Sequence, residues 1–342
     1  MKEKPLVTIC IPHYNNKDTI SQTLDSLLSQ NYKNILIKIF DNASDQESFA
    51  ILKMYEKKNS NILLFRNEIN IGGEANFTKC IENLEGNYGA IYHADDVYSP
   101  DMVLQQVEFL EKYKECSGVA THAYTIDENS KKNGYRPIPK KYLKNNFNII
   151  GNQLELFKAI LENGNFITCP SVMARTEVYK EKIRFWNGTD FKTSADLDVW
   201  MRIALQGKFA LISSPLILYR ESSISYTYNE IRTRTTDNNM FLVLDYYLRK
   251  YEKSLTSLDI SRYDFLLFKD NVNRTINEVI KGKHGDLTLN IFQPSIIQIA
   301  LSSKQNFKIY LTGIIFKILR NFTLSKKLQD KIFQYRFKGK RD

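Results

Sequence analysis

Cysteine is scarce in this chain and poorly placed for any framework: Cys10, Cys80, Cys116 and Cys169 lie far apart and form no CxxC pair. That excludes a disulfide-stapled secreted fold and a thiolate zinc module, and it implies a reduced, cytoplasmic protein whose thiols pack as small hydrophobes. No secretory leader is expected, because Met1-Lys2-Glu3-Lys4-Pro5 leads straight into the first apolar run. Internal repeats and low-complexity tracts are missing, and 14 Gly and 8 Pro in 342 residues exclude a collagenous or linker-dominated chain. A net charge of +10 is unevenly held, since residues 301–342 carry +9 and residues 1–300 only +1. The body is therefore no nucleic-acid surface, and at 43% apolar composition it is long enough to bury one large core or two modest ones.

What the chain does have is a pair of adjacent carboxylates at a strand end. The apolar run Tyr88-Gly89-Ala90-Ile91-Tyr92 reads as a buried strand and is followed by His93-Ala94-Asp95-Asp96. Ser99, Pro100 and Asp101 then suit an N-cap, a first helical position and a first turn, which predicts a tight strand-to-helix connection. Open α/β sheets bind their ligands at such connections. Two neighbouring carboxylates repel unless they share a cation or a set of donors, and a hard Mg²⁺ or Mn²⁺ ion takes one or two carboxylates plus phosphate oxygens. A solvated acidic turn is the other reading of the same residues.

In chain order, the near-continuous apolar run over residues 6–12 predicts a strand buried on both faces, then a polar loop from His13 and a helix over 18–30. A second strand over 35–40 ends at Asp41, where Ser44 and Glu47 have capping-box spacing for the next helix. A third strand over 62–65 and a helix over 74–84 lead into the strand that ends before His93. This alternation predicts an α/β fold with a doubly wound, mostly parallel sheet and flanking helices, its polar loop ends converging on one crevice. After a helix over 100–114 and a strand over 118–126, the Lys/Asn-rich residues 127–148 show no clear period and are expected to form a mobile lid or acceptor loop.

Asp196 and Asp198 mark a helix start whose buried stripe is Val199, Trp200, Ile203 and Ala204, with Arg202 in reach of Asp198. Simple helix capping would account for Asp196 equally well. Two short strands, 209–212 and 216–219, close this region. Beyond a boundary near 225–230 the pattern becomes helical, with helices expected over 229–250 and 261–280, so two domains are expected, 1–225 and 226–342.

Five stretches in this order resemble family 2 glycosyltransferases of the GT-A fold, of the type that builds bacterial surface polysaccharides. They are Val7-Thr8-Ile9-Cys10-Ile11-Pro12-His13-Tyr14-Asn15, Asp41-Asn42-Ala43-Ser44, Asn70-Ile71-Gly72 with Asn76, Ala94-Asp95-Asp96 with Pro100-Asp101, and Ala195-Asp196-Leu197-Asp198-Val199-Trp200-Met201-Arg202. The resemblance implies that Pro12, Tyr14, Asn15, Asn70 and Gly72 shape a nucleotide-sugar pocket and that Asp41 hydrogen-bonds the base, most often uracil. It implies that Asp95 approaches the ribose, that Asp96 binds Mn²⁺ or Mg²⁺ at the diphosphate, and that Asp196 is the general base of a single inverting displacement. The acceptor would be a glycan or polyprenyl-linked hydroxyl.

The chain also departs from that pattern. His93 stands where many relatives carry an acid, Ala195 where many have Glu, and no His follows Arg220. The QxxRW element of processive synthases is absent, which points to transfer of one or a few sugars. An iron facial triad around His93-Ala94-Asp95 would need a second His from His13, His122 or His284 and an all-β scaffold. A sugar-nucleotide pyrophosphorylase would need a Gly-rich basic loop where Pro12-His13-Tyr14-Asn15-Asn16-Lys17 stands. A non-catalytic nucleotide-sugar or glycan-binding scaffold of the same fold is the main alternative.

In the basic tail, about residues 304–342, Ile309, Leu311, Ile314, Ile315, Ile318, Leu319 and Phe322 form an apolar stripe flanked by Lys308, Lys317 and Arg320. It is too short and too soon charged to span a bilayer. A helix lying on the anionic inner face of the cytoplasmic membrane fits it, and packing on the catalytic domain or within a homo-oligomer is the second reading. No nucleic-acid partner is expected.

Overall fold

A computed structural model of the chain describes residues 4–221, 234–282, 289–322 and 324–338. Two compact units emerge: Met1–Phe157 with Asn165–Arg220, and Lys158–Gly164 with Glu221–Asp342. The boundary expected near 225–230, the start of the helix expected at 229, and Lys340 and Arg341 of the tail lie outside the described residues.

The first unit runs β1 (Val7–His13), α1 (Ile20–Leu28), β2 (Ile35–Asp41), α2 (Gln46–Lys58), β3 (Ile62–Arg66), α3 (Gly73–Glu82), β4 (Tyr88–Ile91), β5 (Val97–Tyr98), α4 (Met102–Lys112) and β6 (Cys116–Ile126). It continues with β7 (Lys132–Tyr135), β8 (Phe147–Gly151), α5 (Gln153–Asn163, whose residues from Lys158 onward belong to the second unit), β9 (Met173–Arg175), α6 (Gly188–Phe191), α7 (Ala195–Leu205) and β10 (Lys208–Arg220). The sheet order is β3-β2-β1-β4-β9-β6-β10-β5, with β7 added to β6 and β8 to β10. The long pairings β1 with β2 and β4, β2 with β3, and β6 with β10 are parallel, as the strand–helix alternation predicts. β9 enters antiparallel between β4 and β6.

β1 is buried on both faces. Val7, Ile9 and Ile11 share a core with Ile20, Leu24 and Leu27 of α1, while Cys10 meets Cys80 of α3. Burial of such a run, at roughly 1.5–3 kcal/mol per large side chain, is what holds the central strand between two helical layers. On β6, a Cβ at Gly118 would lie 2.8 Å from Ile203 Cγ2, so the absent side chain lets α7 lie close against the sheet.

Several local expectations are corrected. The helix after Asp95-Asp96 starts at Met102, not at Pro100, and Asp101 occupies its N-cap. Ser99 instead donates its N–H to Leu216 O at 2.8 Å, because Val97 and Tyr98 add a two-residue antiparallel strand to β10. α2 is capped by Asp45, whose Oδ1 accepts the Ser48 N–H at 2.7 Å, while the Ser44 hydroxyl accepts the Asn15 N–H at 3.0 Å. Residues 127–148 are no loose lid: β7 and β8 join the sheet, and β7 lacks a period because all four of its residues are exposed. The two closing strands are one strand, β10, with register shifts on either side of Pro215, which has no N–H to give the ladder.

Within the second unit follow α8 (Met240–Tyr251), α9 (Ser257–Lys281), α10 (Pro294–Leu301), α11 (Lys304–Leu319) and α12 (Lys326–Lys338). α9 opens on a reciprocal capping box between Thr256 and Asp259 and ends at Gly282, whose φ of 63° is left-handed. Phe265, Phe268, Val272 and Ile276 of α9 build a core with Ile296 and Ile299 of α10 and with Tyr310 and Ile314 of α11. Among the described residues no helix is long and apolar enough to cross a membrane.

Candidate active site

The carboxyl ends of β1, β2, β4 and β10 bring together most of the polar side chains singled out above. The β1–β2 register sets His13 opposite Asp41. His13 Nδ1 lies 3.0 Å from Asp41 Oδ1, while Asp41 Oδ2 accepts the Ser44 N–H at 3.3 Å and faces Arg66 Nε at 3.4 Å. Burial alone would push the Asp41 carboxyl up, but hydrogen bonds from His13 and Ser44 and the His13 charge outweigh it, so its pKa falls below the ordinary carboxylate value. Asp41 is fully buried with both oxygens engaged, which makes it the floor of this region.

Around that floor, Asn15 takes a left-handed φ of 53° that Asn tolerates, and its Oδ1 accepts the Asp45 N–H at 2.9 Å. Pro12 precedes it on β1, and Tyr14 is 48% exposed. The Asn42 amide donates to Asn70 Oδ1 at 2.8 Å and to Gly72 O at 3.2 Å, and its Oδ1 accepts the Ile71 N–H at 3.0 Å. Gly72, at φ 83°, turns the chain into α3. Pro12, Tyr14, Asn15, Asp41, Asn70 and Gly72 therefore sit on one edge formed by β1 to β3 and their loops.

The acidic pair lies beyond β4. Thr19 Oγ1 donates to Ala94 O at 3.1 Å and Thr23 Oγ1 to Asp96 O at 2.7 Å, so α1 holds this turn from one side. From the other side Asp96 Oδ1 accepts the Arg220 N–H at 2.8 Å. Asp96 is fully buried, yet its Oδ2 has no hydrogen-bond partner among the described residues. Burial and the Asp95 charge push its carboxyl well above the usual range, and the Arg220 N–H with the Arg220 and Arg136 charges pulls it back only in part. An orphaned, buried carboxylate oxygen next to a second carboxylate is a donor set suited to a divalent cation, whose charge reverses that balance. Mn²⁺ or Mg²⁺ thus fits the residues present.

Asp196 and Asp198 separate clearly on α7. Asp198 accepts Arg202 Nε at 2.8 Å, and the other Arg202 nitrogens hold Ile183 O and Phe185 O at 2.6 and 2.9 Å, a structural clamp. Asp196 Oδ1 accepts the N–H of its neighbour Leu197 at 2.7 Å. Burial pushes its carboxyl up to about 6, against the Leu197 N–H and the Arg136 charge. Arg136 acts on both Asp96 and Asp196, and burial together with both of these carboxylates raises the Cys169 thiol. Arg136 and Cys169 are thus electrostatic neighbours of both acids.

Arg136 escapes a reading of the sequence altogether, and so does the role of Arg220. Arg136 follows β7 in the stretch without a period, and nothing local marks it. Arg220 closes β10, and its guanidinium donates to Asp95 O, Asp127 O, Glu128 O, Ser130 Oγ and Gln22 Oε1. A lone Arg at a strand end was the one visible signal.

A mostly parallel sheet with these acids at its strand ends is the GT-A arrangement of a glycosyltransferase. Residues 8–182 match the family model "Glycosyl transferase family 2", and the chain belongs to that family. An uncharacterized glycosyltransferase of Methanocaldococcus jannaschii is 28% identical over 221 residues, covering 64% of this chain and 71% of the relative. The UDP-Glc:alpha-D-GlcNAc-diphosphoundecaprenol beta-1,3-glucosyltransferase WfaP of Escherichia coli is 35% identical over 109 residues, 32% of this chain and 43% of the relative. The crystal structure of S. aureus TarS 1-349 in complex with UDP-GlcNAc superposes with a TM-score of 0.54 at 13% identity, covering 91% of each chain, a likeness of fold.

Proposed function

We propose that the protein is an inverting glycosyltransferase that moves a sugar from a nucleoside diphosphate, UDP, to a hydroxyl of a glycan or polyprenyl-linked acceptor in cell-surface polysaccharide or glycoconjugate synthesis. One observation carries this reading: the orphaned oxygen of buried Asp96 and the raised carboxyl of Asp196 share Arg136 and Cys169 as electrostatic neighbours. The name of the Escherichia coli relative, with its UDP-glucose donor and diphosphoundecaprenol acceptor, supports the choice of nucleotide and acceptor class.

Pro12, Tyr14, Asn15, Asn70 and Gly72 border the nucleotide, and Asp95 takes the ribose. Asp41 meets a base N–H by giving up its longest contact, that to Arg66 at 3.4 Å. Asp96, with Asp95 beside it, would hold Mn²⁺ or Mg²⁺, which when bound supplies positive charge to the departing diphosphate. Asp196 accepts the proton of the acceptor hydroxyl as that oxygen bonds to the anomeric carbon from the face opposite the diphosphate. The anomeric C–O bond breaks, its electron pair leaves with the diphosphate, and the centre inverts. A base with a pKa of about 6 is ionised at neutral pH and remains basic enough to take the proton.

The first unit is assigned to catalysis and the second to docking on the anionic inner face of the membrane. Phe307, Leu311, Ile315, Ile318 and Phe322 of the α11 region are 42–61% exposed, although Tyr310, Gly313 and Ile314 of the same helix pack on α9 and α10. Lys304, Lys308 and Arg320 accompany that outward apolar row, the composition of an interfacial helix.

A panel of UDP- and GDP-sugars, assayed for diphosphate release with Mn²⁺ or Mg²⁺, tests the activity. Release by the native protein, lost in Asp96→Ala and in Asp196→Asn, supports it; sugar-nucleotide binding without any release leaves the scaffold reading in its place.

A further inference from the structure

We propose that His93 is a direct ligand of the divalent cation, so that this site offers a nitrogen beside its carboxylates; the inference rests on the metal reading of Asp96 above. One ligand atom from each of His93, Asp95 and Asp96 lies within 4.8 Å of the other two. An octahedral ion with bonds of about 2.1 Å sets its ligands roughly 3 to 4.2 Å apart, so a small side-chain adjustment closes the three around one centre.

The polar inventory points the same way. His93 Nδ1 is 3.9 Å from Asp96 Oδ2, too far for a hydrogen bond. His93 Nε2 and Asp96 Oδ2 are nevertheless both buried and both without a partner among the described residues. The facing pair is Nδ1 and Oδ2, which stand 3.9 Å apart without bonding, a gap that a cation can bridge. A cation held between His93 Nδ1 and Asp96 Oδ2 gives the buried carboxylate oxygen the partner it lacks, which packing of the ring does not.

The main chain that carries the ring is also held in place. The His93 main-chain N–H donates to the Tyr98 hydroxyl at 2.8 Å, and that hydroxyl donates to the His93 main-chain O at 3.1 Å. Tyr98 is itself buried and stacked on Tyr92 with ring centroids 4.4 Å apart. Phe77 meets the imidazole edge-on at 5.9 Å. The two-residue strand β5 thus splints the His93 main chain, and Phe77 packs on the ring, a preorganisation that suits a ligand.

An imidazole in the set changes which ion is preferred. Carboxylates and phosphates accept Mg²⁺ and Mn²⁺ alike, whereas nitrogen favours first-row transition ions over Mg²⁺. Mn²⁺ is accordingly the better partner of this chain.

The test uses the full chain with UDP and Mn²⁺, read by electron spin-echo envelope modulation and by calorimetric titration of Mn²⁺ and Mg²⁺. A nitrogen hyperfine coupling on bound Mn²⁺ is expected in the native protein and is lost in His93→Ala. His93→Ala weakens Mn²⁺ roughly tenfold or more with little change for Mg²⁺, and His93→Asp moves the preference toward Mg²⁺. Bound Mn²⁺ without nitrogen coupling in the native protein overturns the role of His93 while leaving the site at Asp96 standing. Failure of Mn²⁺ to bind the native protein any better than Asp96→Ala overturns both.

Discussion

The main-chain N–H of Arg220 donates to Asp96 Oδ1 at 2.8 Å, a bond between the end of the last strand and the acidic turn after β4. The same residue's guanidinium satisfies Asp95 O at 2.8 Å and Asp127 O at 2.9 Å. Arg220 is buried, so these carbonyls have few other donors. Arg220→Lys keeps the charge but cannot reproduce a planar fork that reaches several acceptors. Expected are a loss of roughly 2–4 kcal/mol in urea unfolding and a weaker UDP and Mn²⁺ response. Full recovery by lysine would show that charge alone matters at this position.

Asp196 gives a pH signature with a definite sign. Its carboxyl is raised from 3.8 to about 6, so between those values the native state binds a proton that the unfolded chain releases. Native stability therefore falls as pH rises through that window, and the full penalty is present above it. Asp196→Asn removes the penalty, and the variant should be more stable than the native protein at pH 7.5 by about 1–3 kcal/mol, with no such gain near pH 4. Transfer should be nearly abolished while nucleotide affinity stays within a few-fold, and the native rate should show an acidic limb near 6. A lower melting temperature of the variant at pH 7.5 would identify Asp196 as a helix cap.

How much of this could be read from the residues depends on the range of the interaction. β1, β2 and α1 were legible because their apolar spacing is local, and Asp41, Asp96 and Asp196 stood out because each ends a strand or starts a helix. β5 was not, since two residues carry no period and Tyr98 earns its place only through His93 and Tyr92. β7 hid for the opposite reason: an edge strand exposed at every residue shows no alternation. Arg136 and Arg220 act on acids far away in the chain, and only the folded sheet brings them there. Ser44 looked like a cap by spacing, yet its hydroxyl serves Asn15 and His13, and Asp45 took the helix.

Gly313 tests the core of the second unit. A Cβ there would stand 2.7 Å from Phe268 Cζ and 2.8 Å from Val272 Cγ2, closer than packed atoms come. Gly313→Ala gains helix propensity of about 1 kcal/mol but must push α11 off α9, and overpacking of this kind costs about 1–3 kcal/mol. Thermal melting should show a net loss for Gly313→Ala and a larger one for Gly313→Val. Equal or higher stability of both would mean that α11 does not pack on α9 through this residue.

The outward row of α11 carries the last prediction. Leu311 and Ile315 are 43% and 53% exposed on the face away from Gly313, so replacing them by glutamate removes apolar surface without disturbing the helix contacts. Leu311→Glu with Ile315→Glu should melt close to the native temperature yet lose roughly tenfold or more in binding to phosphatidylglycerol vesicles. Neutralising Lys304 and Lys308 should weaken the same binding by about 1 kcal/mol per charge, an effect that high salt erases. The two changes differ in kind: the glutamates act at any ionic strength, the lysines only at low salt. Sedimentation velocity distinguishes the other occupant of this face, since a homo-oligomer held by it would dissociate in the glutamate variant while the native protein ignores the vesicles.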